Sequence, residues 1–331
     1  MSGEAQEPSG GRRLLVIHNP VAGRRRRKRF WNALELLERD GNELSLHLTE
    51  APGHATDFAG QIRPGEVDLV IAAGGDGTIN EVVNGLVAGG AEMEPRPAPV
   101  PLALLPLGTS NVLAAEIGLG KSPEAVARAI RDNATIRLCL GRIADAERPE
   151  GRFFVLMAGA GIDAHAVAGV DPVLKRRFAQ GAYAWSGLQQ VRRSRHRRYH
   201  VTVDGVRHRA AWVVVAKAGR YGGPFVLATR ARLDEPRFEV CLFARGGVWP
   251  LARHGSALLL GRLAATPGFT SVLGETVRIE AADMGGPATL EPVQCDGDDM
   301  ARLPVEIRVV PDALDLVVPK EGPYGRGRGG G

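Results

Sequence analysis

The segment LVIAAGGDGTINEVVNGL, residues 69–86, decides the fold of this chain. It begins with an apolar run, ends in a stretch of helical periodicity, and places three glycines, Gly74, Gly75 and Gly77, between the two. A buried strand that passes through a glycine turn into a helix is typical of a βαβ unit. The segment therefore predicts a parallel sheet, with this turn at the carboxyl end of one strand.

The flanking sequence continues this alternation of strand and helix up to residue 140 and changes to a strand-only pattern after it. Up to residue 140, apolar strands such as RLLVIHNP and PLALLPLG alternate with helical stretches. Later segments alternate with period two, as in RFEVCLF, TVRIEA, VEIRVV and LDLVVP, and Asp204-Gly205 marks a candidate hairpin. We predict an α/β domain over 12–140 and a β-rich domain over 141–319. A linker at 141–150 is expected between them, with disordered tails at 1–11 and 320–331.

Composition excludes several classes of protein. The 331 residues are 44% hydrophobic and 24% charged, which is typical of a soluble globular chain. The amino end lacks an apolar segment behind a basic one, and the longest apolar stretches are too short to span a bilayer. Cys139, Cys241 and Cys295 lie too far apart for a zinc site or a disulfide framework. We expect a cytoplasmic protein in a reducing compartment.

Positive charge is concentrated in two runs. The net charge is +5, and RRRRKR at 24–29 and RRSRHRR at 192–198 supply much of the basic excess. Such runs suit nucleotide phosphates, an anionic lipid surface or nucleic acid, and a solvated face is the simpler alternative. Neither run is interleaved with the aromatic residues that single-strand binding surfaces use. Nucleic acid is therefore not expected as a partner.

The glycine turn itself suits a phosphate. Glycines allow a phosphate to approach backbone N–H groups, and the helix that follows adds unpaired donors and the positive end of its dipole. Asp76 would then hold magnesium or position an acceptor hydroxyl. The alternative is a structural turn in which Thr78 and Glu81 form a capping box at the helix start. The spacing matches neither a Walker motif nor a dinucleotide fingerprint.

Three segments together resemble a known family. NPVAG at 19–23, GGDGTINEVVNGL at 74–86 and LPLGTSNVLAAEIGL at 105–119 resemble the ordered signatures of the diacylglycerol-kinase catalytic domain. The layout is similar to the bacterial soluble lipid kinases of the YegS and DgkB type, which sphingosine and ceramide kinases also resemble. NAD kinases and phosphofructokinases share the Gly-Gly-Asp-Gly turn alone. The resemblance implies an NAD kinase/diacylglycerol kinase-like α/β domain followed by a β-sandwich domain.

The resemblance also implies a nucleotide site with ATP and Mg²⁺ as cofactors. The residues it assigns to the nucleotide are Asn19, Thr49, Gly74, Gly75, Asp76, Gly77, Thr78, Ile79, Asn80, Glu81, Gly108 and Thr109. From the residues alone, an ordinary turn is the alternative for Asn19-Pro20, and a helix cap is the alternative for Gly108-Thr109.

The second domain departs from the family at two places. Relatives usually read Asp-Gly-Glu where this chain reads Asp296-Gly297-Asp298, and their Glu is the general base toward the lipid hydroxyl. We assign that role to Asp298, which is one methylene shorter, with Asp76 as the rival. Pro236 replaces a glycine in LDEPRFEV, so Glu235 is the best remaining magnesium ligand there, and a solvated strand-edge acid is the alternative.

These inferences combine into one predicted function. We predict an ATP-dependent lipid kinase that phosphorylates a hydroxyl of diacylglycerol or a sphingoid-type lipid. Its substrate requires peripheral docking on the inner face of the membrane, where the arginine runs and Trp249 are candidate contacts with anionic phospholipid. A homodimer is left open. The alternatives are an NAD kinase-like enzyme and a non-catalytic nucleotide or lipid sensor.

Overall fold

The computed structural model describes residues 11–21, 26–87, 98–161, 198–282 and 291–325. Most of the basic run at 192–198, Gly23 and two arginines of the run at 24–29 therefore lie outside the described residues. The helices are α1 Arg27–Arg39, α2 His54–Gly60, α3 Asp76–Val87, α4 Val112–Glu116, α5 Pro123–Asp132 and α6 Val248–Leu259. The strands are β1 Arg13–His18, β2 Glu43–Leu48, β3 Leu69–Gly74, β4 Leu102–Pro106, β5 Thr135–Ala144, β6 Arg152–Phe154, β7 Met157–Ala160, β8 Tyr199–Val203, β9 Val206–Ala210, β10 Trp212–Ala216, β11 Arg220–Tyr221, β12 Phe225–Val226, β13 Phe238–Phe243, β14 Phe269–Gly274, β15 Thr276–Ala281, β16 Pro292–Cys295, β17 Asp298–Arg302 and β18 Val305–Val317.

The first domain is built on the predicted parallel sheet. Its strands run in the order β2-β1-β3-β4, and β3 and β4 are buried along their whole length. Helices cover both faces of such a sheet, which explains why these two strands read as continuous apolar runs. Here α1 packs against α5, and α2 packs against α3. Gly85 makes the second contact possible, because a side chain there would overlap the backbone of Thr56.

A long strand, β18, joins the two domains. It pairs in parallel with β4 through Leu316 and Leu102, and antiparallel with β5 and β15. The two segments VEIRVV and LDLVVP, read from the sequence as separate strands, are therefore one strand. The register shifts between Val310 and Leu314, and Asp312 there has a φ of 49°. This bulge interrupts the period-two pattern without ending the strand.

The second domain is the expected antiparallel β-sandwich. One layer continues from β18 through β15 and β8 to β9, and the other has the order β14-β13-β10-β7-β16-β17. Between them lies an apolar core in which Phe154 and Phe238 stack at 5.9 Å. The predicted hairpin is confirmed: Asp204 and Gly205, with φ of 45° and 82°, connect β8 to β9.

Two of the expected boundaries need correction. Strand β5 runs through residues 140 and 141, so the expected linker at 141–150 begins inside a paired strand, and the turn follows Ala144. Residues 320–325, assigned from their composition to a tail, pack onto the first domain. The Tyr324 ring is buried, and its hydroxyl donates a 3.1 Å hydrogen bond to Glu116. None of the described helices is long and apolar enough to cross a membrane.

Candidate active site

The glycine turn lies against a second glycine turn at the carboxyl ends of β3 and β4. The carbonyl oxygen of Gly74 accepts hydrogen bonds from the N–H groups of Leu107 (2.8 Å) and Gly108 (3.1 Å). The backbones of Gly75 and Gly108 touch, since a Cβ on Gly75 would lie 3.2 Å from the Gly108 Cα and one on Gly108 would overlap Gly75. Both glycines are therefore needed for close approach, and together the two turns form one continuous backbone surface.

The neighbouring strands bring two more predicted residues to this edge. Asn19 follows β1, and its amide donates to the Thr78 hydroxyl at 3.3 Å, while its Oδ1 accepts from the Val21 N–H. Thr49 follows β2, is buried, and donates its N–H to the carbonyl of His18. Parallel strands end at the same edge of a sheet, which is where open α/β sheets bind ligands. Thr109 is exposed beside Gly108 at this edge.

Asp76 serves the structure of the loop. Its two carboxylate oxygens accept the N–H groups of Val112 (3.0 Å) and Leu113 (3.2 Å), so it caps α4. Burial raises the pKa of Asp76, and the hydrogen bonds from backbone N–H groups oppose that rise. Because both oxygens already have donors, direct metal ligation or proton abstraction by Asp76 is not favoured by this geometry. Its role is to hold α4 and the second glycine turn in place.

The residues that follow in α3 point away from the glycine turn. Ile79 is buried in the core, and Asn80 donates to the Phe153 carbonyl (3.1 Å) and to Asp296 (2.9 Å). The Glu81 carboxylate accepts the N–H of Ala55 in α2. The sequence assigned Ile79, Asn80 and Glu81 to the nucleotide, whereas in the structure their side chains contact other parts of the protein. The capping-box alternative is wrong as well, because α3 begins at Asp76, two residues before Thr78.

The Asp-Gly-Asp segment is the turn between β16 and β17, and its first aspartate fixes it to the first domain. The Asp296 carboxylate accepts four hydrogen bonds of 2.8 to 3.0 Å. The donors are the Asn80 amide and the N–H groups of Val155, Leu156 and Met157. Burial raises the pKa of Asp296, and these donors oppose the rise. One carboxylate thus joins α3, the β6–β7 turn and the β16–β17 turn.

This anchor places the second aspartate over the glycine turn. Asp298 is exposed, and its Oδ2 lies 3.7 Å from the point that a Cβ on Gly77 would occupy. Asp296 and Gly297 both have positive φ, 50° and 90°, which turns the chain tightly enough to bring Asp298 back toward α3. The two aspartates therefore differ in role: the first is a structural anchor, and the second faces the candidate phosphate site.

Glu235, the predicted metal ligand, is paired with arginines. Its carboxylate lies 2.6 Å from the guanidinium of Arg237 and 3.8 Å from that of Arg232. Two cations beside the carboxylate disfavour a third, so these residues do not fit a magnesium ion. Among the residues that the structure describes, no group of three or more His, Cys, Asp or Glu side chains could hold a metal.

A buried lysine holds the loop around Glu235. Lys217 is fully buried, and its ammonium donates to the carbonyl oxygens of Arg232, Glu235 (2.6 Å) and Arg237 (3.4 Å). Burial lowers its pKa to about 8, although nearby acidic groups act in the opposite direction. Sequence reasoning missed this residue, because an isolated lysine in the run WVVVAKA carries no signal of burial.

Glu116 forms a second interdomain contact that the sequence did not reveal. Its carboxylate accepts the N–H groups of Gly219 (3.2 Å) and Arg220 (3.0 Å) as well as the Tyr324 hydroxyl. The residue lies at the end of α4, within the third family signature. The sequence shows that Glu116 belongs to a motif, but it does not show its partners, which lie about a hundred and about two hundred residues away.

A glycine turn at the carboxyl end of a parallel strand, with an acid from a second domain above it, is the arrangement expected of a phosphotransferase-type site. Comparisons with known proteins agree with this class. The family model described as the diacylglycerol kinase catalytic domain matches residues 13–143. The model described as the YegS C-terminal NAD kinase beta sandwich-like domain matches residues 157–318. The chain therefore contains a diacylglycerol kinase catalytic domain followed by a YegS-type C-terminal domain, and the first of these supports a lipid kinase function.

Individual relatives match nearly the whole chain. A diacylglycerol kinase of Bacillus subtilis (strain 168) is 28% identical over 313 residues, which covers 94% of this chain and 97% of that protein. One from Staphylococcus epidermidis is 26% identical over 314 residues, covering 94% and 93%. A crystal structure of a diacylglycerol kinase from Bacillus anthracis str. Sterne superimposes with a TM-score of 0.70 at 19% identity, covering 94% and 98%. That last similarity confirms the two-domain fold.

Proposed function

We propose that this protein transfers the γ-phosphoryl group of ATP to a hydroxyl group of a lipid, with diacylglycerol or a sphingoid base as the acceptor class. The observation that carries the proposal is the position of the Asp298 carboxylate beside Gly77. It places an acidic side chain from the second domain next to a backbone surface suited to phosphates. An acceptor bound between the domains would then meet both groups.

Each part of the site has a chemical task in this reaction. The N–H groups at the glycine turn and the amino end of α3 stabilise negative charge on the phosphates. Asn19 and Thr78, which are hydrogen bonded to each other, border the same surface. ATP enters as its magnesium complex, so the metal is part of the substrate. Asp298 accepts the proton of the acceptor hydroxyl while the oxygen of that hydroxyl bonds to the γ-phosphorus, and the bond from the γ-phosphorus to the bridging oxygen breaks as ADP leaves.

The aspartate in place of the usual glutamate is compatible with this role. A carboxylate one methylene shorter must start closer to the reacting atoms, and general-base catalysis depends on that distance more than on residue type. The anchored turn at Asp296 and Gly297 supplies the approach, because it holds Asp298 directly over α3.

The experiment is labelled-phosphate transfer from ATP, with magnesium, to a panel of acceptors. The panel contains diacylglycerol, monoacylglycerol, sphingosine, ceramide and phosphatidylglycerol, with NAD as a soluble acceptor. Label on one of the lipids supports the proposal and names the acceptor. Label on NAD alone would replace it with the NAD kinase alternative. ATP binding without transfer to any acceptor would support the sensor.

A further inference from the structure

Helix α6 and the residue after it present an exposed apolar cluster that the fold does not use. Trp249 is 85% exposed, Leu259 66% and Leu260 71%, and Val248 at the start of the helix is 40% exposed. Single exposed apolar residues are ordinary on a protein surface, whereas a cluster of them marks an interaction site. We call this cluster, Val248, Trp249, Leu259 and Leu260, the α6 patch.

Helical geometry separates the patch from the packed side of α6. Trp249, Arg253, Ser256 and Leu260 recur at intervals of three and four residues and therefore share one face. On the other side the ring of His254 is buried against Phe243 at 5.2 Å. Leu251, Ala257 and Leu258 pack against the core of the protein there. The fold already satisfies the inner face, so the apolar residues of the outer face have no folding role.

The stretch of chain that contains the patch carries charge of a single sign. Residues 240–274 contain no aspartate or glutamate, although the chain as a whole carries 37 of them. The same stretch contains Arg245, Arg253 and Arg262, and all three are exposed. Protein surfaces that lie in the interfacial region of anionic bilayers typically combine tryptophan and leucine with nearby arginines and lack acidic residues.

The second sheet sets an offset, measured along its strands, between the α6 end of β13 and the level of Asp296, while Asp298 in β17 also lies four strands across the sheet from β13. The chain enters α6 after Phe243, at one end of β13. Near the other end, Glu239 lies level with Met157 of β7, because both pair with Ala216 of β10, and Met157 is hydrogen bonded to Asp296. Four residues of antiparallel strand span about 14 Å. Half of a bilayer's hydrocarbon core is about 15 Å thick. The offset along the strands is therefore close to half the thickness of the hydrocarbon core.

We infer that the α6 patch is the surface by which this protein docks on an anionic phospholipid bilayer. The inference rests on the proposed lipid kinase function, since it supplies the acceptor's location. In this arrangement Trp249, Leu259 and Leu260 insert at the level of the headgroups, and the three arginines contact lipid phosphates. A symmetric contact between two copies is disfavoured, because it would bring Arg253 in the middle of the face against its own copy.

The test is co-sedimentation with vesicles of phosphatidylcholine, with and without phosphatidylglycerol, at low and high salt. Trp249→Ser with Leu260→Ser removes two exposed apolar side chains, and Arg253→Glu with Arg262→Glu reverses two exposed charges. The matched control is Val206→Ser with Arg207→Glu in the β8–β9 hairpin, where both residues are also exposed. All six substitutions are on the surface, so folding is not at risk.

We expect both α6 variants to weaken binding to phosphatidylglycerol-containing vesicles by about tenfold or more, since each loses at least two interfacial contacts. The control should stay within about twofold of wild type. Binding to such vesicles by wild type should fall at high salt. Wild-type binding in the α6 variants would overturn the proposal. A change of molecular mass on size exclusion in the apolar variant would also overturn it, because the patch would then join two copies.

A second readout separates this proposal from the proposed function. Transfer of label to a short-chain, water-soluble diacylglycerol does not require a bilayer, so the α6 variants should retain wild-type rates in that assay. Lost vesicle binding with retained soluble activity supports docking through α6. Activity on the soluble acceptor with unchanged vesicle binding overturns the docking surface and leaves the kinase standing. If the α6 variants lost vesicle binding and the wild type showed no transferase activity, the docking surface would stand and the proposed kinase function would be wrong.

Discussion

The anchor formed by Asp296 makes a quantitative prediction about stability. Replacing it with alanine removes the acceptor of four hydrogen bonds from Asn80, Val155, Leu156 and Met157. These four donor residues are all buried, so their N–H groups lose a protein partner where water has limited access. A buried donor without a partner costs about 1 to 3 kcal/mol. Taking the low end for each, because a small cavity admits some water, gives a loss of about 4 kcal/mol.

The assay is denaturant unfolding followed by circular dichroism, with two variants that bracket the effect. Asp296→Asn keeps one acceptor oxygen but turns an NH₂ group toward donors, so we expect it to lose most of the same stability. Asp298→Ala is the matched control two residues away, and because its side chain is exposed its free energy of unfolding should change by less than about 0.5 kcal/mol. If Asp296→Ala unfolded at the wild-type denaturant concentration, the proposed docking of the β16–β17 turn on α3 would be wrong.

Three further predictions concern the two glycine turns and the buried lysine. Gly108→Ala should weaken ATP binding in calorimetry by about tenfold or more, because its Cβ would overlap Gly75, whereas Gly255→Ala, with open space around it, should not. Asp76→Ala leaves the Val112 and Leu113 N–H groups without their acceptor and should lower the free energy of unfolding by about 2 kcal/mol, with equal loss in the presence and absence of magnesium. Burial lowers the pKa of Lys217 from 10.5 to about 8, so the folded state releases this proton before the unfolded chain does. Wild-type stability should therefore rise relative to Lys217→Met between pH 8 and 10.5, by on the order of 3 kcal/mol in denaturant titrations, and a difference independent of pH would contradict the burial argument.

The architecture of the first domain follows from local sequence because its signals are local. Strand β3 is buried on both faces, so it reads as an unbroken apolar run, and Gly74 and Gly75 mark its end at the candidate phosphate site. The hairpin at Asp204-Gly205 is similarly encoded by two adjacent residues that tolerate positive φ. Such features need no knowledge of the rest of the chain.

The features that sequence reasoning missed depend on distant partners. Asp296 was read only as the neighbour of Asp298, because nothing in its own segment indicates that Asn80 and the β6–β7 turn, more than a hundred residues earlier, surround it. For Asp76 the motif predicted chemistry, either magnesium binding or work on the acceptor hydroxyl. The cap that its carboxylate provides to α4 is visible only in three dimensions. Buried polar groups find whichever donors the fold supplies, and their segment of sequence does not name those donors.

The length of β18 illustrates a related difficulty. Pro311 and the positive φ of Asp312 look like a strand break, yet β5 continues to pair on both sides of the bulge. A partner strand can carry pairing across an irregularity that would end an isolated strand. The expected domain boundary failed at the same place in the fold, because β5 and β18 belong to both domains at once.

The central claim is that Asp298 accepts the proton of the lipid hydroxyl at the glycine turn. The most direct measurement is the rate of labelled-phosphate transfer from ATP to the best acceptor of the panel, for wild type, Asp298→Ala and Asp298→Glu, with ATP affinity measured in parallel. We predict that Asp298→Ala binds ATP and folds like wild type but transfers phosphate about 10²- to 10⁴-fold more slowly, and that Asp298→Glu recovers much of the loss. Transfer by Asp298→Ala at the wild-type rate would contradict the claim and return the search for the base to other carboxylates of the site.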